Sequence, residues 1–296
     1  MAVASSVAAK AAGVGMDICF ISNNNVGVGL SGGDRIFIEL LKEWRARARM
    51  TLMGCGEALA IAARGGADGI RCLETIPAGG SASLGLGALL CHTVRRLVAG
   101  VRGLRRFAAE LDGTDAVYSV SDFYPDLVPA WLLKRRRPGV LWIAGYYLFA
   151  PPPWARDTPY RGRHVFRGLV YWLMQRPSYW LVRRYADIVF VTSEPDARRF
   201  ATRRRGRGRV VVVQGGVDVA ASEAWLASGV ALPVPQRRYD ACFVGRLHYQ
   251  KGVLLLPDIW RHVCARRPRA RLVLIGDGHL EADVRRKVAA LGLEDN

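Results

Sequence analysis

Residues 17–34 read DICFISNNNVGVGLSGGD, an apolar run that is followed by a glycine-rich turn and the start of a helix-length segment. From Met16 onward, short apolar runs alternate with longer amphipathic stretches, the pattern of βαβ units and a parallel sheet. Several of the runs are apolar throughout, as strands covered on both faces must be. We therefore predict an α/β fold built from Rossmann-like, doubly wound domains.

The same pattern predicts where the elements and domains begin and end. The predicted strands are 17–22, 49–53, 70–74, 115–119, 139–144, 187–192, 209–213, 239–244 and 271–275. The predicted helices are 33–48, 88–111, 124–136, 162–185, 194–204, 251–267 and 279–291. The predicted domains are a disordered leader (1–15), a first Rossmann-like domain (16–219), a linker (220–238) and the start of a second domain (239–296). Two strands are too little sheet to bury both faces, so we expect the second domain to be truncated.

The net charge of +18 raises the question of an anionic partner. Only five of the 43 basic residues are lysine, which is typical of an arginine-rich codon bias, and we expect nucleic acid not to be the partner. Six cysteines without a C-x-x-C pair favour a reducing, cytoplasmic location. The longest apolar window, 83–101, is interrupted by His92, Arg95 and Arg96, so no membrane-spanning helix is predicted.

The glycine-rich turn suits a phosphate because glycine lets backbone N–H groups approach a ligand at a helix N-terminus. Its G-x-G-x-x-G glycines are Gly27, Gly29 and Gly32. A dinucleotide fold also needs an acidic residue at the end of the second strand, where this chain has Met53 and Gly54. The nearest acidic residue, Glu57, comes later in the sequence than such a fold requires. We therefore expect no NAD or FAD. Gly32 and Gly33 leave room for a ligand, or they belong to an ordinary tight loop.

Ser31 and Asp34 form a predicted capping box at the start of the first helix.

A second candidate phosphate-binding motif lies at residues 244–252, VGRLHYQKG, where Arg246 and Lys251 stand five residues apart after a strand. Two cations at a helix N-terminus suit a diphosphate, whose charge grows as it leaves a sugar. A solvated basic turn explains the same spacing equally well.

Four motifs in order resemble those of family 4 glycosyltransferases: Gly32-Gly33, VQGGVD at 213–218, VGR…KG at 244–252 and LVLIGDG at 272–278. The resemblance covers residues 16–296. It implies a GT-B fold of two Rossmann domains, and retaining transfer that needs no metal or other cofactor besides the nucleoside diphosphate sugar. In agreement, the sequence has no D-x-D motif.

The resemblance also implies roles for individual residues. Arg246 and Lys251 would bind the donor diphosphate and offset the charge of the leaving group. The donor-binding set would comprise Gly32, Gly33, Gly245, Gly276 and Asp277. The E-(x7)-E element of the family does not occur before Asn296, so we expect this chain alone to be inactive.

The ends of the fourth and fifth predicted strands, where the family often has histidine, carry Asp122 and Tyr146. These two residues are candidates for orienting an acceptor hydroxyl on a glycan, a lipid or a small metabolite. Asp122 equally suits a helix cap.

Two basic stretches, 161–184 and 92–106, are predicted to be helical. They could lie on the anionic inner face of a membrane. Alternatively, their aromatic side chains are buried in the core and their arginines are simply exposed to solvent. Pro177 is expected to break or kink the first of these stretches. Transfer from a nucleotide sugar is therefore one hypothesis. A non-catalytic Rossmann protein that docks on membrane or nucleic acid is the alternative.

Overall fold

The computed structural model describes residues 15–25, 27, 31–79, 86–155, 158, 160, 162, 165–200, 209–215 and 219–296. The chain falls into two compact units that divide at residues 217 and 218. The leader prediction for residues 1–14, Gly29 and Gly216–Asp218 of the VQGGVD motif lie outside the described residues.

The first unit contains one parallel sheet in the order β3-β2-β1-β4-β5-β6-β7. The strands are β1 (Met16–Ser22), β2 (Ala48–Cys55), β3 (Arg71–Ile76), β4 (Ala116–Ser119), β5 (Leu141–Gly145), β6 (Ile188–Val191) and β7 (Arg209–Val212). The described helices are α1 (Gly32–Trp44), α2 (Gly56–Arg64), α3 (Leu86–Arg106), α4 (Tyr124–Arg136), α5 (Val165–Tyr185) and α6 (Glu194–Phe200). The strand order reverses between β1 and β4, and in such sheets the carboxyl ends of these two strands flank the ligand crevice.

Both faces of the sheet are covered at its centre, which explains why the central strands β4, β5 and β6 are almost wholly apolar, whereas the edge strands β3 and β7 are partly exposed. In β1, Cys19 and Ile21 pack into the core beneath α3, α4 and α5. Ile18 and Phe20 point to the opposite face and pack with residues of α1 and α2. The α/β fold predicted from the sequence is confirmed.

The second unit begins with α7 (Ala220–Ala227) and a 3₁₀ turn at Val234–Gln236. It continues with β8 (Ala241–Val244), two 3₁₀ turns (Tyr249–Lys251 and Val253–Leu255), α8 (Leu256–Cys264), β9 (Leu272–Ile275) and α9 (Glu281–Ala290). The two strands pair in parallel, and a small core of Leu247, Val253, Leu280 and Val284 packs beside them.

Four features differ from the sequence predictions. The helix predicted at 251–267 is α8, which begins only at Leu256 after two 3₁₀ turns, so Lys251 lies before the helix rather than on its first turn. Helix α2 is absent from the sequence prediction because it follows β2 without a loop, and the glycine at its first position is more typical of a turn. The segment predicted as a linker contains α7, which has no buried residue and therefore no amphipathic signal. The sequence predicts a break or a kink at Pro177, and helix α5 continues through it, with the buried Gln175 and Ser178 on either side, so the helix is not broken there.

Candidate functional site

A buried carboxylate organises the loops at the carboxyl ends of β1 and β4. Asp126 is 1% exposed, and its Oδ1 accepts hydrogen bonds from the backbone N–H groups of Asn23 (2.5 Å) and Asn24 (3.1 Å). Its Oδ2 accepts a hydrogen bond from the Ser121 hydroxyl. The side chain of Asn23 in turn accepts a hydrogen bond from Thr75 at the end of β3. One acidic side chain therefore ties together the loops that flank the crevice.

Burial raises the pKa of Asp126 from its ordinary 3.8 to about 7, although three hydrogen bonds act to lower it. The pKa of Asp126 is higher in the folded state than in the unfolded state. The contribution of this residue to the stability of the fold is therefore complete below about pH 3.8 and is lost as the pH rises through 7.

We expect the variant Asp126→Asn to remove this loss, because its amide oxygen still accepts both N–H groups and carries no charge. Between pH 5 and 7 the free energy of unfolding of the wild type should fall by about 2 kcal/mol more than that of the variant. Urea unfolding at both pH values measures the difference. Parallel pH curves for the two proteins would contradict the raised pKa.

The start of α1 has the predicted capping box, with Ser31 as N-cap and reciprocal hydrogen bonds to Asp34. Asp34 also accepts a hydrogen bond from Asn25, which fixes the preceding loop to the helix. Neither Gly32 nor Gly33 has a positive φ. A Cβ on Gly32 would meet no described atom within 4 Å, and one on Gly33 would lie at an ordinary 3.5 Å from the Tyr147 ring. The protein's own packing therefore does not demand either glycine.

Asp122 does not cap α4, whose N-cap is Phe123, so that alternative is wrong. Its Oδ2 instead accepts a hydrogen bond from Gln175 Nε2 at 2.8 Å, and burial raises its pKa from 3.8 to about 6. Gln175 is held in turn by the backbone of Leu148 and Ala150. A carboxylate with a raised pKa can accept a proton near neutral pH, which suits a group that orients a hydroxyl.

Tyr146, the other acceptor candidate, is 1% exposed and packs among the rings of Phe149, Tyr179 and Phe200. Its hydroxyl is buried and has no hydrogen-bond partner in the described part of the chain. Burial raises its pKa, so the phenol stays protonated. A buried, unpaired hydroxyl is costly, and a partner of any kind would stabilise it.

In the second unit, Arg246 and Lys251 lie on the connection between β8 and α8. Both side chains are exposed, and neither forms an ion pair with any residue that the structure describes. His248, between them in sequence, packs edge-on against His279 with ring centroids 5.0 Å apart. Burial, then His279 and Arg246, lower the pKa of His248. The connection therefore presents two cations that have no counter-charge on the described protein.

The LVLIGDG motif packs directly against this connection. The N–H of Gly245 donates to Ile275 O at 3.0 Å, and the N–H of Leu247 donates to Asp277 O at 2.7 Å. Gly276 has a φ of 145°, and a Cβ on it would lie 2.0 Å from Gly245 O. The backbone approach therefore requires Gly276, whereas the side chain of Asp277 is exposed.

A buried ion pair that sequence reasoning missed lies at the end of β2. Arg96 Nη2 lies 2.6 Å from Glu57 Oε1, and both side chains are 3% exposed. Glu57 Oε1 also accepts a hydrogen bond from the N–H of Gly79. Glu57 Oε2 and Arg96 Nη1 are buried without partners among the described residues. Glu57 thus stands where a dinucleotide fold would place its ribose-binding acid, but it is engaged by Arg96.

The described residues contain no group of three His, Cys, Asp or Glu side chains placed to hold a metal. Among the described helices, none has both the length and the apolar character that crossing a bilayer requires.

Comparison with known proteins bears first on the second unit. Residues 230–296 match the family model described as "Glycosyl transferases group 1". This segment contains Arg246, Lys251 and the LVLIGDG motif, the elements that carried the strongest part of the resemblance. No curated protein is detectably similar to the chain in sequence.

Solved structures share the fold of the chain at low identity. Anabaena Alr3699/HepE in complex with UDP-glucose has 17% identity and a TM-score of 0.55, over 95% of this chain and 67% of that chain. UDP-GlcNAc 2-epimerase from Neisseria meningitidis bound to UDP-GlcNAc has 12% identity and a TM-score of 0.55, over 95% and 71%. A ugt transferase from Siraitia grosvenorii in complex with UDP has 11% identity and a TM-score of 0.50, over 88% and 64%. Since an epimerase is among them, the shared fold does not by itself select a reaction.

Proposed function

We propose that this chain belongs to a glycosyltransferase that moves a sugar from a nucleoside diphosphate donor to a hydroxyl acceptor. The supporting observation is that the segment matching the glycosyl transferase model presents Arg246 and Lys251 exposed and without a counter-charge. A departing nucleoside diphosphate develops negative charge, and fixed cations aimed at that charge stabilise the transition state. Two structures that share the fold, Alr3699/HepE and the Neisseria epimerase, are complexes with UDP-glucose and UDP-GlcNAc, which is consistent with such a donor.

Several finer parts of the proposal follow from the resemblance. We propose retaining transfer in the manner of family 4, without a metal, and with the donor-binding role of Gly32, Gly33, Gly245 and Asp277 as predicted. Retaining transfer of this kind depends on positioning and leaving-group stabilisation more than on a protein nucleophile. For Gly276, the backbone contact with Gly245 is a sufficient reason for glycine, so its donor role needs separate support.

For the acceptor we propose that Asp122 orients the attacking hydroxyl. Among the described residues its carboxylate has one side-chain donor, Gln175, and its raised pKa lets it share a proton near neutral pH. Tyr146 is a weaker candidate because it is surrounded by core aromatic rings. A glycan, a lipid-linked hydroxyl and a small metabolite all fit this chemistry.

Binding of UDP, GDP and ADP sugars, measured by calorimetry, tests the donor proposal. We expect Arg246→Gln and Lys251→Gln each to weaken the preferred nucleotide sugar about 10- to 100-fold, the usual effect of losing a hydrogen bond to a charged group. Arg261→Gln is the matched control, because Arg261 is an exposed arginine of α8 in the same unit.

The same variants distinguish the non-catalytic alternative. Unchanged nucleotide affinity in both variants, together with salt-sensitive binding of RNA or vesicles, would favour a docking protein over an enzyme. Equal losses in Arg261→Gln and Arg246→Gln would show that only overall charge matters.

A further inference from the structure

A basic groove lies between the end of β3 and one face of α3. Its volume is about 500 Å³, and it is lined by Thr75, Ile76, Arg95, Val98, Ala99, Arg102, Gly103 and Arg106. Three guanidinium groups therefore border a floor of small and apolar side chains. No carboxylate is among the described residues that line the groove, and the sequence of α3 contains no Asp or Glu.

The arginines have apolar neighbours along the same helix. Successive residues at intervals of four turn by about 40° around a helix, so Val94, Val98 and Arg102 lie within about 80° of one another, whereas Leu90 and Arg106 are about 160° apart. Val94 and Val98 are 57% and 40% exposed. Arg95 lies between them along the axis. Exposed apolar side chains therefore lie directly beside the arginines of the groove.

The fold holds α3 in a fixed position. A Cβ on Gly100 would lie 2.9 Å from Pro129 Cγ, and one on Gly103 would lie 3.0 Å from Thr75 Cγ2. The helix therefore lies as close to α4 and β3 as glycine allows. The inward Arg96 pairs with Glu57 and fixes the rotation of the helix. The groove is consequently a feature of the packed backbone rather than of mobile side chains.

Helix α5, the other basic helix, offers a weaker anion site. Arg176 lies 4.0 Å from the centroid of the Trp172 ring, and Arg184 lies 5.3 Å from that of Tyr185. These guanidinium groups already lie over aromatic rings of their own helix. Arg95 and Arg102, by contrast, have no ion pair or ring contact among the described residues. Arg106 lies 5.0 Å from the centroid of the Phe107 ring, so Arg95 and Arg102 are the principal anion-binding groups of the groove.

We infer that this groove binds the phosphate of a membrane lipid, with Arg95, Arg102 and Arg106 around the phosphate and the lipid's apolar part along Val98 and Val94. Arginine is the side chain best suited to phosphate oxygens because its guanidinium donates two parallel hydrogen bonds. A soluble phosphate would use the arginines but would leave the exposed valines without a purpose. The lipid site is independent of sugar transfer, since its binding is measured without a donor.

Co-sedimentation with vesicles tests the inference on the whole chain. Vesicles of phosphatidylcholine alone are compared with vesicles that also contain phosphatidic acid. We expect the triple variant Arg95→Gln, Arg102→Gln, Arg106→Gln to lose about 100-fold in affinity for the acidic vesicles, because each basic residue near an anionic surface contributes about fivefold. The control variant Arg261→Gln, Arg266→Gln, Arg267→Gln removes the same charge from exposed positions elsewhere, and we expect it to lose less than a tenth as much.

A second variant separates a lipid from a free phosphate. Val94→Ser with Val98→Ser keeps every charge, and we expect it to weaken vesicle binding about tenfold by removing buried apolar surface. Calorimetry with inorganic phosphate should show much weaker binding than the vesicles do. Equal losses in the two arginine triples, or full vesicle binding by the serine variant together with tight binding of inorganic phosphate, would overturn the lipid site.

Discussion

Replacing Arg96 with methionine is expected to lower the free energy of unfolding by about 3–5 kcal/mol, as is usual when one partner of a buried ion pair is removed. Arg96 and Glu57 are both 3% exposed, with Nη2 and Oε1 2.6 Å apart. The variant leaves the Glu57 carboxylate buried, with the Gly79 N–H as its remaining hydrogen-bond donor outside its own helix turn. Methionine fills a similar volume, so the loss reports the missing charge rather than a cavity.

The pH dependence of that loss identifies its cause. Without Arg96, burial should raise the folded pKa of Glu57 above its unfolded value of about 4.3. A raised folded pKa means that stability falls as the pH increases, so the variant should be closest to the wild type below about pH 4 and furthest from it at pH 8. Chemical denaturation at these two pH values measures the change.

A double variant provides the control. Glu57→Gln combined with Arg96→Met removes both charges, and the glutamine Oε1 still accepts the hydrogen bond from Gly79. We expect this double variant to recover most of the lost stability. A single Arg96→Met variant that loses less than about 1 kcal/mol would contradict the buried pair, since surface pairs contribute in that range.

The first unit could be predicted from its sequence because the signals of its elements are local. Residues 18–21 of β1 are all apolar, which indicates a strand covered on both faces, and the structure places Phe20 and Ile21 in two different cores. Ser31 and Asp34 stand three residues apart, and their capping box needs no other part of the chain. Patterns of this kind involve residues of a single element, so they can be recognised in the sequence without knowing the tertiary structure.

The remaining features depend on residues that the fold brings together from far along the chain. Glu57 and Arg96 are 39 residues apart, and nothing near Arg96 distinguishes it from the exposed arginines of the same helix. Asp122 stands where a helix cap is expected, but Gln175, 53 residues later, draws its carboxylate away. Contacts between side chains that are far apart in the sequence produce no periodic pattern of residue types. The candidate site was therefore found by motif, whereas its buried supporting contacts were not.

The variant Gly276→Ala is expected to destabilise the second unit by at least about 3 kcal/mol, because φ values near that of Gly276 are accessible almost only to glycine. Its φ is 145°, and the new methyl group would lie 2.0 Å from Gly245 O. That oxygen cannot retreat easily, because the N–H of Gly245 is bonded to Ile275 O and Val244 is paired with Ile275 in the two-stranded sheet. Hydrogen exchange at residues 241–247 and 272–280 should therefore accelerate about 100-fold or more.

Gly139→Ala is the matched control, because its new Cβ would meet no described atom within 4 Å and Gly139 has no positive φ. We expect it to change the free energy of unfolding by less than about 0.5 kcal/mol. Normal exchange at β8 and β9 in Gly276→Ala would contradict the close backbone approach. If exchange accelerates as expected, lost nucleotide binding in this variant says nothing about a donor contact, because the connection that carries Arg246 and Lys251 is itself released. The exposed Asp277 is then the residue of this motif at which donor binding can be tested, since Asp277→Asn leaves the backbone contacts in place.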